Sequence, residues 1–287
     1  MIRPVSDRPL ISSRRNPLVR RLRQLATRQG RLDEGNLLLE GTHLVQELVG
    51  LDLRRLELFA TEPWLEGHRD LIERLPGEAC IQPVSDEVLK AALTTIHPDG
   101  VAAVVSLEVL PVADRAADFV LVLDRLQDPG NLGSLLRTAL AADVQSVLLA
   151  SGADPLSPKV LRASAGALLR LCHRRFGPAE QDGIDQLVPE LTALAAAGVQ
   201  VVATLVPEAR GPLTPIPYWE LDWTRPTALV LGTEGAGLHP SLQACCTHAV
   251  TLPHSSKVES LNVAAASVPL LLERRRATMT ATSQQFG

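Results

Sequence analysis

At 287 residues, 46% of them apolar and 21% charged, the chain can form one large or two ordinary domains and has the balance of a globular protein. No apolar run reaches the ~18 residues that cross a bilayer, and the basic N-terminus lacks the apolar core of a secretory signal. Four cysteines, Cys80, Cys172, Cys245 and Cys246, show no C-x-x-C spacing and favour neither a zinc site nor a disulfide framework, so a reducing cytoplasm is expected.

The formal charge of −4 is unevenly spread: residues 1–31 carry nine arginines against the single acid Asp7, which leaves the remainder at −12. Arginine clusters hold phosphate backbones, often bidentately, so this stretch reads as a nucleic-acid contact or as a solvated basic tail. With aromatics at 3%, base stacking on Trp or Tyr is not expected to dominate. Residues 1–12 are expected to be an unstructured basic tail. Asn16 to Arg28 places Leu18, Leu22 and Leu25 at helical spacing with arginines between them, an amphipathic helix with a basic face. Asn36 to Glu40 reads as a strand entering a turn at Gly41, and Thr42 to Leu48 as a helix. Leu56 to Ala60 is a strand, Glu87 to Leu93 a short helix, and Val101 to Leu107 a β-rich strand. This alternation makes a small α/β domain over 13–108, and 109–117 is the linker.

A second α/β domain is expected over 118–280, with an unstructured tail at 281–287. Phe119 to Leu123 reads as a strand, Leu132 to Ala142 as a helix and Gln145 to Ala150 as a strand. Lys159 to Arg170 and Ile184 to Ala197 are helical. Val199 to Leu205 and Thr227 to Leu231 are apolar strands of the kind buried on both faces of a parallel sheet. Pro207 to Pro226, with five prolines and two tryptophans, is an irregular packed excursion. Ala249 to Leu252 is a last strand, broken by Pro253. After a polar loop from His254 to Glu259, Ser260 is expected to cap a helix that is small and apolar for ten positions from Leu261, and therefore buried.

Three constellations could carry chemistry. In Asp124 to Ala139, Asp128-Pro129-Gly130 is turn chemistry and Asn131 stands as the expected N-cap. Arg137 would lie in the helix interior among Leu136, Ala139 and Leu140, where a cation needs a partner; that partner is a carboxylate on a neighbouring helix or a phosphate. In Leu229 to Leu238, a buried strand ends in a loop with glycines at 232, 235 and 237, where open α/β sheets bind ligands. It matches neither G-x-G-x-x-G nor a P-loop, and Glu234 could receive hydrogen bonds or brace the turn. At Ser260 to Ala266, Ser260 and Asn262 stand at the mouth of an apolar helix whose N-terminal N–H groups could meet a ligand; a capped core helix accounts for the pattern equally. The small residues of Arg162 to Ala167 are explained by close helix packing.

Taken in order, these segments resemble the SpoU (TrmH-like) RNA ribose methyltransferases of the SPOUT superfamily. The family's first motif is similar to Asn131, Gly133 and Arg137, its second to Gly232 through Leu238, and its third to Leu252-Pro253 followed by Ser260-Leu261-Asn262-Val263. Ile11-Ser12-Ser13, Asn16-Pro17 and Leu39-Glu40-Gly41 look like the family's RNA-binding domain, which is related to a ribosomal protein fold. The match covers about residues 10–275. Two departures stand out: His254 occupies the position where the family commonly has Met, and Pro269 falls inside the final helix.

The resemblance implies a C-terminal domain with a mostly parallel sheet and a deep trefoil knot, and a homodimer. S-adenosylmethionine would be held by backbone groups at Leu231, Gly232, Leu252, Pro253 and Leu261. It also implies methyl transfer to a ribose 2′-hydroxyl, with Arg137, Asn131, Glu234, Ser260 and Asn262 as catalytic or positioning residues, no metal and no membrane. Arg14, Arg20, Arg21 and Arg23 would contact RNA. The RNA expected is 23S ribosomal RNA, because a separate N-terminal domain is common in ribosomal enzymes of this kind. Transfer RNA, a non-catalytic RNA-binding homologue, and an unrelated α/β enzyme binding a nucleotide at the glycine loop are the alternatives.

Overall fold

The computed structural model describes residues 8–75, 79–112, 117–177, 180–209, 212–233 and 236–285. The chain falls into two units, residues 1–110 with 154–169 and residues 111–153 with 170–287.

Within the expected basic tail, residues 1–7 lie outside the described residues, whereas Ile11 bridges Val84, its N–H donating to the Pro83 carbonyl at 3.1 Å. The helix anticipated over 16–28 is two helices. Asn16 caps α1 (Pro17–Leu25), its Oδ1 accepting the Leu18 N–H at 2.9 Å, and α1 buries Val19, Leu22 and Leu25. Thr27 is extended and caps α2 (Arg28–Glu34), so the periodicity of leucines continues only as far as the first helix. Strand β1 (Asn36–Glu40), α3 (Thr42–Gln46) and β2 (Leu56–Ala60) follow as the sequence indicates. Helices α4 (Glu62–Gly67) and α5 (Arg69–Arg74) and strand β3 (Ala79–Pro83) were not foreseen. Each is short, and β3 alternates over only two buried positions, Ile81 and Pro83, the second a proline that argues against a strand. Helix α6 (Asp86–Ala92) and β4 (Val101–Ser106) complete a sheet of order β1-β4-β2-β3. In it β4 runs antiparallel to β1 and β2, while β3 lies parallel to β2. Leu38, Phe59, Ala102 and Val104 from the strands pack with Val19, Leu22, Val88 and Leu89 from α1 and α6.

The second unit begins with β5 (Phe119–Leu123), α7 (Pro129–Ala141) and β6 (Ser146–Leu149). The chain then returns to the first unit for residues 154–169, which the sequence reading placed in the second domain. Helix α8 (Pro158–Ala163) is tied down there by ion pairs from Arg162 to the fully buried Glu40 and from the buried Arg31 to Asp154. The helix anticipated through Arg170 stops at Ala163, because Ala165 and Gly166 turn left-handed at φ 51° and 75°. At Gly166 a Cβ would meet Glu47 and Leu44 at 3.1–3.3 Å, so tight packing and backbone hand both call for glycine.

Back in the second unit come β7 (Cys172–Arg175), α9 (Glu180–Ala196), β8 (Gln200–Thr204), the two-residue β9 (Ile216–Pro217), β10 (Thr227–Leu231), α10 (Pro240–Gln243), β11 (His248–Thr251) and α11 (Val263–Gln285). Their sheet runs β7-β6-β5-β10-β8-β11-β9, and every pairing in it is parallel. Near-continuous apolar runs such as Thr227–Leu231 are what two covered faces demand. On one face Val120, Val122, Val201, Ala203, Ala228, Val230 and Ala249 form a core with α9 and α10. Alternation turns Leu121, Leu123, Val202, Leu229, Leu231 and Val250 to the other face. There α7 packs on α11, and the Arg274 guanidinium lies 5.5 Å from the Phe119 ring centre.

Candidate active site

Because the sheet is parallel, β5, β10, β8 and β11 present their C-terminal ends along one edge, in that order. Three of the connections leaving that edge hold the constellations picked out by sequence.

The first leaves β5. Asp124 is fully buried, and it clasps the segment that follows β10 at both ends. Its N–H donates to the Leu231 carbonyl at 2.9 Å, and its Oδ2 accepts the His239 N–H at 2.7 Å. The Arg125 guanidinium, on a backbone at φ 56°, donates to the same carboxylate at 2.7 and 3.2 Å. Helix α7 then starts earlier than expected: Asp128, not Asn131, is the N-cap, accepting the Asn131 N–H at 2.7 Å, with Pro129 in the first turn. Asn131 therefore sits inside the helix, where its side chain does not serve as the cap. The face that α7 buries settles the surroundings of Arg137. The buried stripe is Leu132, Leu135, Leu136 and Ala139, and Arg137 projects from the exposed side with Ser134. It is not the interior cation that sequence suggested, and no carboxylate partner is found for it among the described residues.

The second leaves β10. Glu234, together with Gly235, lies outside the described residues. Around them Thr233 and Gly237 exchange two backbone hydrogen bonds of 3.1 and 3.0 Å, and the Thr233 hydroxyl accepts the Ala236 N–H at 3.2 Å. A Cβ on Gly232 would come within 2.4 Å of the Gly237 carbonyl carbon and 2.6 Å of the Leu238 nitrogen. Gly232 is thus required by the loop folding back on itself. Leu231 is buried at the strand end.

The third leaves β11. Leu252 is half-buried, Pro253 exposed, and His254 donates from Nδ1 to the Leu252 carbonyl at 2.7 Å. Ser260 is exposed and does not cap α11. Asn262 does so instead: its Oδ1 accepts the Ala265 N–H at 3.1 Å and its carbonyl the Ala266 N–H at 2.8 Å. Two cap-forming residues lie within three positions here, and the second wins. Leu261, before the helix, is exposed at 37%, and α11 itself is not buried all round. Val263, Ser267, Leu270, Leu271 and Arg274 face inward, while Val268, Leu272 and Met279 lie on the outside.

Asn262 also closes the site. Its Nδ2 donates to the Asn131 Oδ1 at 3.0 Å, joining the start of α7 to the start of α11 across 131 positions of sequence. Amide, hydroxyl and guanidinium groups with protein-bound backbone between them can orient a polar substrate and stabilise an anion. On the other face of the sheet, burial pushes the Cys246 thiol up to about 12.

The arginine-rich N-terminus divides in two. Arg14, Arg15, Arg20 and Arg23 line one groove with Asn16, Gln24 and Thr27, and Arg15 had not been singled out. Arg23 braces the groove by donating to the Ala91 carbonyl at 2.6 Å. Arg21 points elsewhere, donating to Glu57 at 2.7 and 3.1 Å and to Glu34 at 2.8 Å. The hydrogen bond to Glu57 raises its pKa further. Arg21 and Arg31 are thus held in ion pairs, whereas the groove arginines keep their charge available.

Among the described residues no helix is long and apolar enough to cross a membrane, and no group of three His, Cys, Asp or Glu residues could hold a metal ion. Comparison with known proteins gives two family models: the SpoU rRNA Methylase family over residues 118–271 and the MRM3-like substrate binding domain over 16–103. An uncharacterized tRNA/rRNA methyltransferase of Synechocystis is 41% identical over 97% of both chains. The 23S rRNA (guanosine(2553)-2′-O)-methyltransferase RlmP of Bacillus subtilis is 31% identical over 92% of this chain and 98% of its own. The structure of the SpoU methyltransferase AviRb from Streptomyces viridochromogenes with the cofactor AdoMet superposes with a TM-score of 0.70 at 26% identity, covering 92% of this chain and 100% of that one.

Proposed function

This chain belongs to the SpoU rRNA methylase family, and from that premise we propose that it transfers a methyl group from S-adenosylmethionine to a ribose 2′-hydroxyl of RNA. The observation that carries the reading is the Asn262–Asn131 hydrogen bond. It gathers the first and third family motifs at the strand edge where the glycine loop also ends, so three separated segments serve one site.

The residues present suit this cofactor. The exposed segment from Pro253 to Leu261 offers backbone groups that make few bonds within the chain, beside the apolar side chains of Val258 and Leu261 at 48% and 37% exposure. An adenosine has the same mixture of apolar faces and polar edges. Leu231, Gly232, Leu252, Pro253 and Leu261 would hold it. The bound group supplies a sulfonium methyl, an electrophile that needs no metal.

The protein's part is alignment and charge. Asn131, fixed by Asn262, positions the nucleotide, and Ser260 borders it. The guanidinium of Arg137 offers N–H donors and no acceptor, so it does not act as a base. It grips the phosphate next to the reacting ribose and stabilises negative charge developing on the 2′-oxygen. The hydroxyl proton passes to a phosphate oxygen or water as the new O–CH3 bond forms and S-adenosylhomocysteine leaves.

Ribosomal RNA, 23S by analogy with the named relatives, is the proposed substrate, bound through phosphates by Arg14, Arg20 and Arg23 of a domain over 13–108. A linker over 109–117 leads to the methyltransferase domain over 118–280. Its chain is read as the family's trefoil knot, which agrees with β10 lying between β5 and β8. The apolar outer face of α11, Val268, Leu272 and Met279, suits a second copy of the chain, and the cytoplasm is the proposed compartment. Mapping 2′-O-methyl positions in ribosomal and transfer RNA by mass spectrometry, with and without the gene, tests the reading. One missing methyl in 23S RNA is expected; a full set of methyls in both RNAs would overturn it.

A further inference from the structure

At the candidate site β8 lies between β10 and β11. The register that pairs Val230 with Ala203 and Val250 with Thr204 sets Thr204 between Leu231 and Val250 at the strand ends. Ala203 belongs to the core beneath α9 and α10. Thr204 therefore faces the opposite side, shared with Leu231, α7 and α11. Its Oγ1 is buried and has no hydrogen-bond partner among the described residues. A buried hydroxyl in that condition is costly, and a valine of the same shape would avoid the cost. The neighbouring strand end gives a comparison. Thr251 Oγ1 is also buried and without a partner among the described residues, but it shares the face of Ala249 on the α9 and α10 side.

Resting on the cofactor reading above, we infer that Thr204 is a cofactor-binding residue whose hydroxyl pairs with the adenosine half of S-adenosylmethionine. A hydroxyl both donates and accepts, which matches the neutral donors and acceptors of an adenine edge or a ribose. The methionine end carries an ammonium and a carboxylate, and burying those calls for charged or multiple partners that one hydroxyl between Leu231 and Val250 does not supply.

The test uses full-length Thr204→Val, Thr204→Ser and Thr251→Val, with calorimetry against S-adenosylhomocysteine and 5′-methylthioadenosine, and thermal unfolding without ligand. Thr204→Val should bind both ligands about fivefold to tenfold more weakly and melt at an equal or higher temperature without ligand. Thr204→Ser should restore affinity, and Thr251→Val should bind as the wild type does. Wild-type affinity in Thr204→Val overturns the assignment. So does a loss seen with S-adenosylhomocysteine alone, which would place the hydroxyl at the methionine end, or a lower ligand-free melting temperature, which would give it a structural partner. A wild type that binds neither ligand overturns the cofactor reading itself.

Discussion

A single methyl group added at Gly232 should separate cofactor binding from folding. In Gly232→Ala the new Cβ would stand 2.4 Å from the Gly237 carbonyl carbon, 2.5 Å from its oxygen and 2.6 Å from the Leu238 nitrogen. All three are backbone atoms, so no side-chain rotation relieves the clash and the loop must open. The two Thr233–Gly237 hydrogen bonds are what opening breaks. At ~0.5–1.5 kcal/mol each, the local cost is about 1–3 kcal/mol. Strand β10 itself is paired on both sides, with β5 and β8, and stays in place. A cofactor that rests on the closed loop then loses about fivefold to 150-fold in affinity. Calorimetry with S-adenosylhomocysteine, beside urea denaturation and RNA binding on the same preparation, reads this directly. Wild-type cofactor affinity in a normally folded Gly232→Ala would refute the reasoning and remove the loop from the site.

Arg137→Ala should collapse single-turnover methyl transfer while leaving stability within ~0.5 kcal/mol, as expected for an exposed side chain. Arg137→Lys should rescue little, since an ammonium lacks the planar fork, and near wild-type turnover in either variant would end its catalytic assignment. Asn262→Asp keeps an oxygen to cap α11 but loses the donor to Asn131, so activity should fall with the melting temperature nearly unchanged, whereas Asn262→Ala should also lose ~1 kcal/mol of stability. Replacing Arg14, Arg20 and Arg23 together by Ala should weaken RNA binding and flatten its salt dependence; an unchanged salt slope would count against the groove. Arg21→Ala should leave RNA binding alone and cost about 1 kcal/mol of stability. Burial works against the Glu57 charge, but the Arg21 hydrogen bond outweighs it and holds the carboxyl below the usual range. The pair's contribution is therefore present above about pH 4.3 and is lost as pH falls through the lower folded value, so Arg21→Ala should shrink this acid-sensitive part of the stability profile measured by denaturation.

What the sequence disclosed and what it hid follow from the range of the interactions involved. The central parallel strands were legible because burial on two faces writes itself as apolar runs, as in Phe119–Leu123 and Thr227–Leu231, whereas the edge strands β7, Cys-His-Arg-Arg, and β9, two residues long, carry no such run. The site's location was legible because motif residues cluster just past those runs. Choices between neighbours were not. Asp128 and Asn131 can both cap a helix, and Arg137 lies outside because tertiary packing buries the stripe Leu132, Leu135, Leu136 and Ala139 instead. Ser260 and Asn262 pose the same ambiguity, resolved by the amide that reaches Asn131. Arg20 and Arg21 are adjacent letters, yet one lines the groove and the other is bound to Glu57 from β2. The end of α8 at Ser164 depends on Glu47 and Leu44, more than a hundred positions away, and no local pattern announces it.

The order of strands in the second sheet also sets a timetable for making the protein. Strand β5 pairs at one edge with β6, which follows it closely, but its other neighbour is β10, with Phe119 beside Thr227, 108 positions later. Closing a loop of that length costs about 4 kcal/mol of chain entropy before any contact is gained. During synthesis at ~5–20 residues per second, the apolar edge of β5 waits about 5–20 s for its partner to leave the ribosome. For that interval the β7-β6-β5 half is an unfinished sheet with an open side. A cell making this protein quickly or when warm therefore has to guard a nascent edge, and the yield of active enzyme should follow chaperone supply more closely than the stability of the finished fold.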